Sequence, residues 1–207
     1  RDVARGIENT SGPLGQGHAF GAGAAIAEKF LEARLGKEVM QHTIYIYISD
    51  GGVQEEISQG VGRIAGNLGL SNIVMFYDSN DIQLSTECRV VMNEDTAAKY
   101  KAWGWNVMTI DGNNADEIRD ALNKAKQETQ RPTLIIGNTV MGKGALKADG
   151  SSFEHNIGTH GAPLGGDAYI NTIRHLGGNP DDPFVIFPEV QELYAKRRNQ
   201  LKEIVAK

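Results

Sequence analysis

The segment from Thr43 to Ile82, TIYIYISDGGVQEEISQGVGRIAGNLGLSNIVMFYDSNDI, constrains the fold more than any other part of the chain. It reads as strand, glycine turn, helix, strand and polar loop. Residues 43–48 are β-branched and aromatic with almost no polar face, which predicts a central parallel strand buried on both sides. The helix is expected from Val53 to about Leu68, with Ile57, Val61, Ile64 and Leu68 in one apolar stripe. A second strand is expected over 72–78. Two parallel strands joined by a helix finish at the same edge of a sheet. Asp50, at the end of the first strand, and Asn80, just after the second, therefore meet there. Open α/β sheets bind their ligands at that edge, beyond the carboxyl ends of the strands.

The rest of the chain continues the alternation. Residues 18–35 read as a helix rich in alanine and glycine, and 1–17 hold no regular element. After an irregular loop over 85–92 come a short helix over 95–103 and a strand over 105–111. A helix from Asp116 to Thr129 turns Ile118, Leu122 and Ala125 inward, and the apolar run 132–140 is a fourth strand. This pattern predicts an α/β fold, a parallel β-sheet flanked by helices on both faces. A long polar loop, 142–165, leaves the fourth strand at the ligand edge, and loops of that length in a compact domain are commonly functional. A short helix follows Asp167. The expected division is a single domain over 1–178, then a connector and linker helix over 179–207, the helix itself running from Glu189 to Lys207.

Composition narrows the function. The chain has 207 residues, 40% hydrophobic and 23% charged, which is globular usage. A formal net charge of −5 without a basic stripe argues against a nucleic-acid surface. The dense basic run Lys196-Arg197-Arg198 reads as a solvated helix face. The single cysteine, Cys88, allows no internal disulfide, fits a reducing compartment and reads as structural. No apolar run approaches the ~20 residues of a membrane span.

At the Asp50–Asn80 edge the available ligands are a carboxylate, an amide oxygen and any backbone carbonyl in the following loop. Hard oxygen donors of this kind suit magnesium or calcium rather than zinc. Gly51 and Gly52 let the backbone approach a ligand closely. The start of the helix near Val53 directs N–H groups to the same place, which favours a phosphate. The chemistry so assembled is a diphosphate held by one divalent ion. The same residues also read as a plain Gly-Gly turn whose aspartate caps the helix.

These residues resemble the thiamine-diphosphate signature, Gly-Asp-Gly followed about thirty residues later by Asn. More narrowly, the chain resembles the transketolases. GIENTSGPLGQG (6–17), NEDTAAKYKAWGW (93–105) and THGAPLG (159–165) are similar to three further transketolase motifs, in the family's order and spacing. The resemblance implies the thiamin diphosphate-binding fold and a thiamine-diphosphate- and magnesium-dependent transfer of a two-carbon ketol unit from a ketose phosphate to an aldose phosphate. It implies a cytoplasmic enzyme of the pentose phosphate pathway, with calcium as the alternative ion. It makes Asp50, Asn80 and the Ile82 carbonyl the metal ligands. Gly12, Leu14, Gly51 and His160 become cofactor contacts, together with those three. His160 also assists proton transfer or orients the acceptor, and Glu55 joins a carboxylate network across a dimer interface.

The resemblance further implies a homodimer and a pyrimidine-binding domain, supplied by the rest of the enzyme or by a neighbouring subunit, since no residue here fits the glutamate that activates the aminopyrimidine. The family's upstream segment is not present before Arg1, so the chain is expected to be a fragment, a split subunit or the ordered part of a longer protein. Ser49 and Glu56 depart from the family's glycines. His18 reads as a cap or packing residue, and Lys143, Lys147 and His155 carry no assignment. Two rivals stand beside this reading: another thiamine-diphosphate enzyme, and a structural or degenerate domain that only holds cofactor. Neither nucleic acid nor membrane is an expected partner.

Overall fold

The computed structural model describes residues 2–5 and 9–206. Gly6, Ile7 and Glu8, at the head of the first motif, lie outside the described residues, as do Arg1 and Lys207. In chain order the elements are α1 (Gln16–Leu35), α2 (Lys37–Met40), β1 (Ile44–Ser49), α3 (Asp50–Gln54), α4 (Glu56–Asn67) and β2 (Ile73–Ser79). Then come α5 (Cys88–Val91), α6 (Thr96–Ala102), β3 (Asn106–Asp111), α7 (Ala115–Ala125), β4 (Thr133–Asn138), α8 (Gly166–His175) and α9 (Pro188–Val205).

The four strands form one parallel sheet in the order β1-β2-β4-β3, with Ser49 level with Asp78 and Ser79 level with Asn138. The strands therefore end together, and the loops after β1, β2 and β4 leave from one edge. Side chains alternate between two cores. Ile46, Ile48, Met75, Tyr77, Leu134 and Ile136 face Ala25 of α1, Ala65 of α4 and Tyr100 of α6. Val74 and Ile135 face Ala121 and Ala125 of α7 on the other side. Burying a leucine such as Leu134 fully contributes about 1.5–3 kcal/mol. The expected parallel α/β sheet with helices on both faces is what forms.

Two local expectations are corrected. β1 is not central but lies at the edge of the sheet. Its isoleucines point into the first core while Tyr45 and Tyr47 point to the α7 side, where Tyr47 is 81% exposed beside Phe76. What looked like a continuous apolar run is an alternation of aliphatic and tyrosine side chains, and tyrosine tolerates water at its hydroxyl end. The helix after the glycine turn is also broken at Glu55, whose backbone is extended (φ −64, ψ 133), into α3 and α4. The apolar stripe of α4 faces outward: Ile57, Ile64 and Leu68 are about half exposed, and Ser58, Gly62 and Ala65 are buried. The inner face must be small because Trp103 lies against it. A Cβ at Gly62 would sit 2.9 Å from the Trp103 ring, and one at Gly66 would overlap the Trp103 carbonyl oxygen. Tyr100 packs on Trp103 and Trp105 at 4.9 and 5.2 Å between centroids, and the Trp105 Nε1–H donates to the Gly62 carbonyl at 2.8 Å.

The 85–92 stretch also differs from expectation, since it carries the single-turn helix α5. The chain divides into two compact units, residues 1–143 with 154–162, and 144–153 with 163–207. Within the second, α8 accepts the Leu146 N–H on Thr172 Oγ1 at 2.9 Å, and α9 has no buried residue. Among the described residues no helix is long and apolar enough to cross a membrane.

Candidate functional site

The turn after β1 decides between a helix cap and a ligand. Ser49, not Asp50, caps α3, its Oγ accepting the Gly52 N–H at 3.3 Å. The Asp50 carboxylate turns inward instead and is 2% exposed. Its Oδ1 accepts the Tyr77 hydroxyl at 2.6 Å and its Oδ2 accepts the Asn80 N–H at 2.9 Å. A buried carboxylate is costly unless hydrogen-bonded, and these bonds meet that requirement.

Asn80 passes the connection on. Its Oδ1 accepts the Ile82 N–H at 3.0 Å. Between them Asp81 takes a left-handed backbone, φ 65, which aspartate tolerates. It is held by Arg89, whose N–H reaches Oδ1 at 3.0 Å and whose guanidinium reaches Oδ2 at 2.5 Å. The loop closes through Cys88 N–H to the Asp81 carbonyl (2.8 Å) and Gln83 N–H to the Thr86 carbonyl (3.0 Å), on either side of the Ile82–Glu87 bridge. Ile82 is thus in the pair that exchanges no bonds, and its carbonyl stands outside the ladder. Asp50, Asn80 and Ile82 form one connected chain.

Leu14, Gly51, Glu55, Ile82 and His160 line a single cleft of about 520 Å³ at this edge, together with Gln54, Glu56 and Gln83. Asp50 is not among its lining residues and lines instead a neighbouring cleft of about 340 Å³ with Tyr77, Cys88 and Arg89. Gly12 is exposed and is not among the lining residues. His160 follows a single 3₁₀ turn, Ile157–Thr159, itself pinned where Gly142 packs on Thr159. The His160 Nδ1 is buried and has no hydrogen-bond partner among the described residues. Glu55, at the break between α3 and α4, is exposed, and Glu56 beside it lines the same wall.

Two groups around Asp50 are perturbed. Burial first, then the Asp50 hydrogen bond and charge, push the Tyr77 hydroxyl up, so it stays a donor. Burial, then the charges of Asp50 and Asp81, push the Cys88 thiol up to about 12. Cys88 is therefore an inert S–H rather than a nucleophile.

A diphosphate with a divalent ion fits these residues. The donors are all oxygens, and His160, whose Nδ1 has no hydrogen-bond partner among the described residues, lines the same cleft. A Cβ at Gly51 would meet Leu14 Cδ1 at 3.0 Å, so the glycine keeps that space open. Among the described residues no group of three His, Cys, Asp or Glu side chains is placed to hold a metal. A cation at Asp50 would draw on one carboxylate, an amide and a carbonyl, and take the rest from phosphate and water, which is magnesium's habit. Sequence reasoning missed Tyr77 and Gln54. A tyrosine ending a buried strand needs a partner for its hydroxyl, and that was the available signal. Gln54 Nε2 reaches the Asp50 carbonyl (3.1 Å) and Gln83 Oε1 (2.9 Å), a pairing that spacing alone does not reveal.

Comparison with known proteins bears on the fold and the family. Residues 2–207 match the family model described as transketolase, thiamine diphosphate binding domain. The chain is 38% identical over 203 residues to a transketolase of Staphylococcus aureus, covering 94% of this chain and 30% of that protein. It superposes on the crystal structure of transketolase from Campylobacter jejuni with a TM-score of 0.83 at 33% identity, over 95% of this chain and 31% of that one. A Pichia stipitis transketolase in complex with sedoheptulose 7-phosphate matches at 31% identity and TM-score 0.83, over 95% of this chain and 30% of that one. The chain spans about 30% of the length of these relatives. With the family model matching residues 2–207 and these relatives covering nearly all of it, the chain belongs to the transketolase family, within its thiamine diphosphate binding domain.

Proposed function

We propose that this chain supplies the diphosphate- and metal-binding half of a transketolase site, for transfer of a two-carbon ketol unit from a ketose phosphate to an aldose phosphate. The observation that carries the reading is Asp50: released from capping by Ser49, it is tied through Asn80 to Ile82, which lines the cleft. Asp50, the Asn80 side-chain oxygen and the Ile82 carbonyl hold magnesium, with calcium as the alternative. Among the described residues this lining carries Glu55 and Glu56 and neither lysine nor arginine, with Arg89 in the neighbouring cleft beside Asp50, so a cation is what offsets the acidic wall for a diphosphate. Gly51 lets the cofactor approach, Leu14 and the Gly12 backbone contact its aminopyrimidine end, and His160 meets the diphosphate and the reacting centre. The cofactor, when bound, supplies the carbanion-stabilising chemistry. The chain's own share is binding, orientation and proton transfer at His160.

Glu55, exposed at the cleft wall, faces a pyrimidine-binding domain in a homodimer, and the assembled enzyme is cytoplasmic. Residues 1–178 act as the cofactor-binding domain, with 179–207 as connector and linker helix. A non-catalytic, cofactor-holding role is the second reading, favoured by Glu56 where the family has glycine. Mixing the chain with the complementary segments of a relative and assaying ketol transfer separates the two. Transfer that disappears in His160→Ala is expected, and no transfer with the wild-type chain favours the second reading.

A further inference from the structure

We propose that Gln54 is a positioning residue that holds the loop after β2 against the glycine turn and so sets the Ile82 carbonyl relative to Asp50. The inference rests on reading Asp50 and Ile82 as metal ligands. Gln54 closes α3, and its side chain folds back over the turn. Its Nε2 donates to the Asp50 carbonyl at 3.1 Å and to Gln83 Oε1 at 2.9 Å, with Cys88 Sγ 3.7 Å away. A bond to the helix's own carbonyl is an ordinary way to finish a helix, but the bond to Gln83 spans 29 residues. A carbonyl oxygen only accepts, so the nitrogen end of the Gln54 amide must face the turn. Both Nε2 hydrogens are then committed, one to the backbone of Asp50 and one to the residue after Ile82. The peptide joining Ile82 to Gln83 is trans, so its C=O and N–H point opposite ways. The Gln83 N–H turns into the loop toward the Thr86 carbonyl, which directs the Ile82 carbonyl away from the loop's interior. Asn80 holds this peptide from the residue before, through the Ile82 N–H, and Gln54 holds it from the residue after. Removing the Gln54 amide leaves the Asp50–Asn80 bond to tie loop to turn, and the Ile82 carbonyl gains freedom.

The test reads this peptide directly by nuclear magnetic resonance. Ile-Gln occurs once in the sequence, at 82–83, so isoleucine labelled with ¹³C at the carbonyl and ¹⁵N-glutamine give a single carbonyl-to-nitrogen correlation. Magnesium is titrated, with thiamine diphosphate in excess, into wild type, Gln54→Leu, Gln83→Leu and the double variant, with ¹⁵N-leucine replacing ¹⁵N-glutamine where residue 83 is changed. The wild-type peak should move and saturate. In either single variant the magnesium midpoint should rise about 10–100-fold, the usual effect of losing a group that orients a metal ligand. The double variant should lose no more than either single one, since both remove the same bond. A merely structural role would lower the urea midpoint of the metal-free chain and leave the magnesium midpoint where it is. That outcome, or losses that multiply in the double variant, overturns the proposal. A wild-type peak that magnesium does not move overturns the ligand reading of Ile82 and the proposal with it. If Gln54→Leu does not fold, Gln83→Leu removes the same bond from the loop side and decides the test.

Discussion

At the scale of single residues, His18 carries a consequence of burial. It lies inside α1, with Nδ1 2.5 Å from Ser58 Oγ of α4. Burial lowers its pKa below the ordinary 6.5, and the Tyr47 carbonyl opposes this only in part. The folded state therefore holds a neutral imidazole, and the unfolded chain takes up its proton first as pH falls. Stability from this group is complete above pH 6.5 and declines below it, until the folded group also protonates. The expected result is a smaller difference in urea midpoint between about pH 7.5 and about pH 5.5 in His18→Leu than in wild type. An equal difference would contradict the assignment. The sequence reading of His18 as a cap or packing residue agrees with its buried place, and the meeting of Asp50 and Asn80 at one sheet edge was legible from their spacing, whereas Ile82 entered only through the family resemblance. The Tyr77 bond was not, because a strand tyrosine reads as core until its neighbours in space are known.

At the scale of elements, β-strand and helix order followed from periodicity, but which face is buried did not. The stripe Ile57, Val61, Ile64 and Leu68 has the spacing of a core-facing helix, yet α4 packs through Ser58, Gly62 and Ala65. Close approach to Trp103 overrides hydrophobicity there, and that approach is a long-range fact absent from any local window. Likewise nothing within TIYIYI tells an edge strand from a central one. Two substitutions separate the readings. Ile64, 53% exposed, replaced by lysine should change stability by no more than about 0.5 kcal/mol. Gly66→Ala, whose Cβ would overlap the Trp103 carbonyl, should cost about 1–3 kcal/mol or more, although alanine is the better helix former. Denaturant unfolding measures both. A large loss in the first with none in the second would reverse the orientation of α4.

At the scale of the molecule, the parallel sheet gathers at one edge residues that lie far apart in sequence, from Leu14 to His160. That convergence was legible because strand–helix alternation forces strand ends together. The cleft's bare acidic lining was not, since it depends on which loops face each other. On the proposed reading, diphosphate binding depends on a cation at Asp50. The most direct measurement is calorimetric titration of thiamine diphosphate into the chain with magnesium, then with excess chelator, alone and mixed with the complementary segments of a transketolase relative. Saturable binding with magnesium, lost with chelator and in Asp50→Ala, is the predicted result. Binding that persists with chelator, or none with magnesium under either condition, would contradict the account.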